Sequence, residues 1–311
     1  MAISGMEIHP IDLRFQGKPH LIASYLIASD DDLALIETGP STCLSALDQG
    51  IREAGFDPFA IRKVLVTHIH LDHAGAAGHW AARGAQIFVH ERGARHLMDP
   101  ERLIEGARAV YGDAMETLWG QILPVAESRL SILREGDAFT VGRVRFVVWD
   151  APGHARHHLV LSGAGSVFSG DNAGVRLPGS TFLSPASAPS QFDPDALLVT
   201  LERIAAVGFN RLCLTHFGII EGPEAVKEHL ERYRSVISDL KNLALSSLPN
   251  AGAPAEWIAR FRAGCLERAR SEGVDATTWE LYEAANDSAM CAEGVRQWWE
   301  NFIKRPGTAT G

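Results

Sequence analysis

Cysteine is scarce and scattered in this chain. Cys43, Cys213, Cys265 and Cys291 are the four among 311 residues, and no two form a Cys-x-x-Cys pair. They read as reduced thiols of core or surface, not as a disulfide framework. No apolar run approaches membrane-spanning length, which argues against a membrane span. No Lys/Arg cluster interrupts a net charge of −9, and the acidic residues form no tail. Nucleic acid is thereby disfavoured as the main partner. The first seven residues hold neither a basic stretch nor an apolar one, so no secretory signal is read and a cytoplasmic protein is expected. No internal period of repeat length is visible. An apolar fraction of 46% is ample for one large domain with an appendage.

The densest signal is Thr67-His68-Ile69-His70-Leu71-Asp72-His73, with four ligand-type side chains in six residues, directly after the β-branched run 61–67. Imidazole with carboxylate suits zinc, and also iron or manganese. Neighbouring side chains diverge too much to close one tetrahedral site, so the cluster is better read as half of two adjacent sites. Three more strand-like runs end on such residues: His154 after 144–149, Asp171 after 166–168 and His216 after 211–213. A single histidine after a strand is ordinarily a packed or solvated residue. Four consecutive strand ends bearing His or Asp form a constellation, placed on loops that a rigid scaffold can hold toward solvent.

These residues resemble the metallo-β-lactamase superfamily, whose His-x-His-x-Asp-His signature stands at His68, His70, Asp72 and His73, followed in order by His154, Asp171 and His216. The resemblance covers about the first 220 residues. The runs 89–97 and 153–158 look closest to a little-characterised prokaryotic branch. It implies an α/β fold, the αββα sandwich, with a dinuclear centre in a cleft at one edge. By position, His68, His70 and His154 would hold one ion, Asp72, His73 and His216 the other, and Asp171 would bridge them. Two zinc ions are implied, with iron or manganese compatible. A hydroxide between the ions would attack the substrate, with Asp72 and Asp171 as the catalytic carboxylates.

One position departs from the family. Where many relatives carry Asp-Thr-Gly, this chain reads Glu37-Thr38-Gly39. Glu37 is expected to stand behind a ligand and orient it, as the Asp does, against the plainer reading of an ordinary strand-end residue. His158 is read as supporting or structural, and His157 stays undecided. Arg176 is a candidate anchor for a substrate carboxylate or phosphate, though a solvated loop arginine is equally consistent. Tyr111 and Phe217 are weaker pocket candidates.

Along the chain, strands are expected at 21–28, 33–37, 64–67 and 86–90, and again between 131 and 169. Helices are expected at 41–54, capped by Ser41, at 74–83, and at 91–98 and 101–121 as an insertion roofing the cleft. A boundary near Gly222-Pro223 divides a hydrolase domain, 1–222, from a helical C-terminal region, 223–311, with helices at 224–247, 254–272 and 276–303. Trp257, Trp279, Trp298 and Trp299 fall in these helices. Packing on the hydrolase domain is the simpler account, and a dimer surface or a wall of the substrate pocket is the sharper one. Two adjacent tryptophans on one helix are expected to face different surroundings. Residues 304–311 are expected to fray.

The functional expectation is a dinuclear hydrolase of a small ester, thioester or lactone. A phosphodiesterase of the same fold is the alternative, and so is a metal-stabilised protein that binds a ligand or partner without catalysis. A glyoxalase II-like thioesterase would share the helical C-terminus, but no basic cluster for glutathione is found there. The partner is a small molecule, with neither nucleic acid nor membrane, and a homodimer is allowed.

Overall fold

The computed structural model describes residues 5–304; 305–311, expected to fray, lie outside it. Two six-stranded sheets face each other. The first runs β1 (Met6–Asp12), β2 (Ala23–Ser29), β3 (Asp32–Ile36), β4 (Lys63–Leu65), β5 (Gln86–His90) and β6 (Leu130–Leu133), in that spatial order. The second holds β7 (Ala138–Val141), β8 (Val144–Asp150), β9 (Leu159–Gly163), β10 (Ser166–Gly170), β11 (Arg211–Leu214) and β12 (Gly218–Glu221), also in chain order. Antiparallel neighbours are joined by short links. The parallel pairs, β3 to β6 and β10 with β11, need crossovers.

Strand periodicity accounts for the layers. Along β2 every residue is buried, and alternate side chains part company: Tyr25 and Ile27 enter the core between the sheets, while Leu26 turns outward. The inter-sheet core also takes Phe139, Phe146, Val148 and Phe168 from the second sheet. Outside the first sheet pack α1 (Leu44–Glu53), α2 (Leu71–Ala74) and α3 (Ala77–Ala82), which bury Leu47, Ile51 and Trp80. Next come α4 (Glu91–Met98), α5 (Glu101–Tyr111) and α6 (Met115–Trp119), the expected insertion. Outside the second sheet lies α7 (Pro194–Val207), then α8 (Pro223–Ser247), α9 (Pro254–Ser271), α10 (Ala276–Ala285) and α11 (Ser288–Trp298), ending in a π-helical turn, Trp299–Lys304. Apolar faces buried on both sides of paired sheets give the expected αββα sandwich with a C-terminal helical extension.

Several local expectations are corrected. Ser41 caps nothing: its hydroxyl donates to Trp119 O at 2.9 Å, and the helix starts through a short 3₁₀ turn at Ser41–Cys43. The helix expected over 276–303 breaks at Asn286-Asp287, because Asp287 accepts from Met290 N and caps a new helix. The strand β1, the hairpin strand β12 and the whole of α7 were not anticipated.

The chain turns helical at Pro223, but the core does not divide there. Leu212 and Leu214 of β11 share one cluster with Leu230 and Tyr233 of α8, Trp257 and Phe261 of α9, and Trp298 of α11. Both adjacent tryptophans reach it, Trp298 at its centre and Trp299 half-buried at its margin, so neither needs a separate surface.

Candidate metal centre and its cleft

Each ligand-type residue sits where a strand ends. β4 delivers His68 and His70 on its exit loop, and α2 carries Asp72 and His73. The β8–β9 loop brings His154, the 3₁₀ turn after β10 brings Asp171, and the turn between β11 and β12 brings His216. Glycine is required at Gly170, where φ is +51° and a Cβ would lie 2.5 Å from His158 Nε2 and 2.6 Å from Thr67 Oγ1.

The side chains converge as two groups. His68, His70 and His154 make one, with His70 Nδ1 lying 3.0 Å from His68 Nε2 and 2.9 Å from His154 Nε2. Asp72, His73, Asp171 and His216 make the other, all donor atoms within 4.8 Å of one another. Asp171 joins them. Its Oδ1 is 3.1 Å from His73 Nε2 and 3.5 Å from His216 Nε2, while its Oδ2 is 3.4 Å from His154 Nε2.

The outer nitrogens of the rings are held. His154 Nδ1 faces Ala186 O at 2.8 Å and His216 Nδ1 faces Leu21 O at 2.7 Å. A carbonyl accepts only from N–H, so when the ring is neutral each Nε2 has its lone pair toward the centre. Glu37 supports His73: its Oε1 lies 3.1 Å from His73 Nδ1 and accepts from the Thr67 hydroxyl, and its Oε2 accepts from Thr67 N at 3.1 Å. His158 Nε2 receives Asp171 N at 3.2 Å. Asn172, which carried no expectation, accepts from His154 N at 3.1 Å and donates to Ala151 O at 2.7 Å, tying two ligand loops together.

Charge divides the groups. Burial, with neighbouring imidazoles, keeps His68 neutral and lowers His70 to about 3. Burial also opposes a charge on His73 and His216, but the Asp171 and Asp72 carboxylates outweigh it and raise both. Burial opposes the charge of Asp72 too, yet His73 and His216 hold it down at about 2. His73 Nε2 and Asp171 Oδ1 are buried and face each other at 3.1 Å, out of line for a good hydrogen bond. Buried, inward-facing ligand atoms packed this closely on histidines and carboxylates fit divalent cations.

The groups lie at the base of a cleft of about 760 Å³, a size suited to a small molecule. Its wall comes from the insertion, with Arg102 and Tyr111, from the loop at Pro189, and from α11, with Met290 and Glu293. The C-terminal helices thus reach the site, through residues that no local pattern marks. His157 lines the cleft too, buried and with Nδ1 unpartnered. Of the expected substrate residues, only Tyr111 lines it. Arg176 Nε donates to Ser180 O at 3.2 Å, and the Phe217 ring packs on His20 at 4.7 Å. Neither Arg176 nor Phe217 is on the cleft wall.

The metallo-beta-lactamase superfamily model matches residues 17–216. The chain belongs to that superfamily. A metallo-beta-lactamase fold-containing protein of Sulfurisphaera tokodaii is 23% identical over 224 residues, covering 70% of this chain and 80% of that one. Hydroxyacylglutathione hydrolase of Xanthomonas campestris is 28% identical over 192 residues, 61% of this chain, and the match spans only 58% of that enzyme. Among solved structures, a metallo-beta-lactamase family protein from Thermus thermophilus aligns with a TM-score of 0.66 at 21% identity, covering 96% of this chain and 94% of its own. A beta-lactamase domain protein from Burkholderia ambifaria gives 0.62 at 18%, with 97% and 88% covered. The likeness in fold therefore includes the helical extension. Members of the superfamily are in general metal-dependent hydrolases, and the His/Asp groups here suit divalent ions. Among the described residues, no helix is long and apolar enough to cross a membrane.

Proposed function

We propose that the chain is a hydrolase that holds two metal ions, zinc by preference, and cleaves a small ester, thioester or lactone. The observation that carries this reading is Asp171, whose two oxygens face two separate ligand groups at the base of a cleft. His68, His70 and His154 would hold one ion and Asp72, His73 and His216 the other, with Asp171 between. Bound there, two divalent ions would make water nucleophilic at neutral pH and withdraw charge from the attacked oxygen.

The protein's own groups account for the rest. Asp171 and the more exposed Asp72 accept hydrogen bonds from a water and fix where its lone pair points. Tyr111 lines the cleft with a phenol that burial keeps protonated, a donor for substrate oxygen. The walls are largely apolar and set Asp287 and Glu293 against Arg102, which favours a carbonyl substrate over a phosphodiester. The stretch 1–222 supplies every proposed ligand, and the helices beyond it supply a wall.

The test is metal analysis of the purified chain followed by turnover of ester, thioester, lactone and phosphodiester panels. Two ions per chain and cleavage of a carbonyl substrate are expected. No more than one ion after reconstitution, or activity confined to phosphodiesters, would overturn it. Retention of both ions with no turnover on any panel would favour a binding protein.

A further inference from the structure

Asp72 opens on two cavities. Beyond the main cleft lies a second lobe of about 390 Å³, and Asp72, Tyr111, Trp119 and Met290 line both. The Tyr111 hydroxyl donates toward Met290 Sδ at 3.5 Å, so the insertion and α11 touch between the lobes. The second lobe is lined by Phe15, Ile22, Leu118 and Ala284, with the Trp119 indole stacked on Phe15 at 5.4 Å. Among the described residues, its charged wall residues are Asp72, Glu283 and Asp287, and no lysine or arginine lines it. Two polar atoms on this wall are buried without a hydrogen bond, the Trp119 indole N–H and Glu283 Oε1. The other Glu283 oxygen accepts from Arg262 at 3.2 Å.

Resting on the hydrolase reading above, we infer that the substrate straddles Asp72 and places one apolar arm, free of negative charge, in the second lobe. An apolar wall favours each added methylene by roughly three- to fourfold in binding. With Asp72 committed to an ion, Glu283 and Asp287 are the carboxylates that repel an anionic arm, and the low-dielectric wall strengthens that repulsion. A hydroxyl or ammonium at the end of the arm would meet Glu283. An arm bearing carboxylates or phosphates is left with the first lobe, where Arg102 stands. The substrate class is therefore a carbonyl compound with at least one neutral or cationic apolar arm.

The experiment uses the full-length, zinc-loaded chain and two series of neutral esters, one lengthened on the acyl side and one on the alcohol side. Ala284→Phe narrows the lobe from α10, and Gln16→Trp narrows it from the exposed turn at its mouth; thermal melting confirms that each is folded. In the parent chain, kcat/KM should climb about three- to fourfold per methylene in one series. That slope should flatten in both variants. The same arm ending in a carboxylate should react at least about tenfold more slowly, and Glu283→Gln should narrow the gap. An unchanged slope in both variants, or equal rates for neutral and carboxylate arms, overturns the inference. If the parent chain cleaves no ester, thioester or lactone, the hydrolase reading fails on its own. The lobe is then read by the Trp119 indole N–H resonance, assigned with Trp119→Phe. A shift with hexanol, absent with hexanoate and absent in Ala284→Phe, sustains the lobe; no shift with hexanol overturns it.

Discussion

Glu37 Oε1 lies 3.1 Å behind His73 Nδ1, and both side chains are buried. The carboxylate also receives Thr67 through its hydroxyl and its amide, and Thr215 stands 3.5 Å away. Glu37 adopts φ +66°, a conformation uncommon for a glutamate. A buried acid in that backbone state, aimed at the rear of the His73 imidazole, orients the ring and raises its basicity. Glu37→Gln should therefore weaken the ion held with His73 by about ten- to a hundredfold and spare the one held by His68, His70 and His154. Glu37→Asp keeps the charge with a shorter reach and should fall between. Stepwise metal titration by calorimetry checks this; equal loss at both sites would assign Glu37 a general structural role.

Asp171→Ala removes the carboxylate whose two oxygens face the two groups. Turnover should drop by at least about a hundredfold, since displacement of reacting groups by about 1 Å is enough for that loss. The fold should survive, because the turn is held by Asn172 bonding His154 N and Ala151 O and by the Asp171 amide donating to His158, none of which involves the Asp171 carboxylate. Comparison of kcat with the melting temperature separates the two effects. Near-parental kcat would remove Asp171 from the mechanism.

The convergence of these seven side chains was legible because its signal is local: four side chains in six residues, then a His or Asp at each following strand end. Glu37 was legible only through the resemblance, since it stands where many relatives carry the Asp of Asp-Thr-Gly. The cleft wall was not. Met290, Trp119 and Arg102 come from three helices whose patterns carry only packing information, and they meet through tertiary contacts. Arg176 and Phe217 show the converse, since nearness in sequence to Asp171 and His216 did not bring them to the cleft. Among elements, β1 escaped notice because six of its seven residues are only partly buried or exposed and Pro10 interrupts it. The unanticipated α7 does carry a signal, Asp193 capping Pro194 with Leu197, Leu201 and Ile204 at helical spacing. The break at Asn286-Asp287 is an Asp-Ser helix start inside a stretch otherwise helical throughout.

Trp298 is 2% exposed, and Trp257 donates its indole N–H to Ala292 O at 2.8 Å. The helical region is thus fastened to the second sheet through one continuous cluster. Trp298→Ala should cost about 3–5 kcal/mol of stability. Truncation after Gly222 should expose the outer face of β10 and β11 together with α7, and yield aggregated protein. A soluble, active truncation would show that the extension is dispensable, and light scattering with an activity assay decides it.

Metal-free protein should be most stable close to pH 6.5, the unfolded-state value for histidine, about 6.5. Burial first, then neighbouring imidazoles, depress His68, His70 and His157 below that value, and burial with His154 does the same to His158. Below about pH 6.5 the unfolded chain takes up protons that these rings refuse, so stability falls with pH, for His70 until its folded value of about 3 is reached. His73 and His216 work on the other side. Burial opposes their charge, yet Asp171 and Asp72 raise both, so their contribution is full below about pH 6.5 and is lost as pH rises through the raised values. Each group can add a slope of up to about 1.4 kcal/mol per pH unit within its window. Bound ions replace the protons on His73 and His216, which should abolish the alkaline decline and leave the acid one steeper, because ligation needs neutral rings. Urea midpoints measured from about pH 4 to 9, with chelator and then with zinc, read both limbs. Chelated protein whose stability keeps rising to about pH 9 would mean that Asp72 and Asp171 do not hold these two histidines charged.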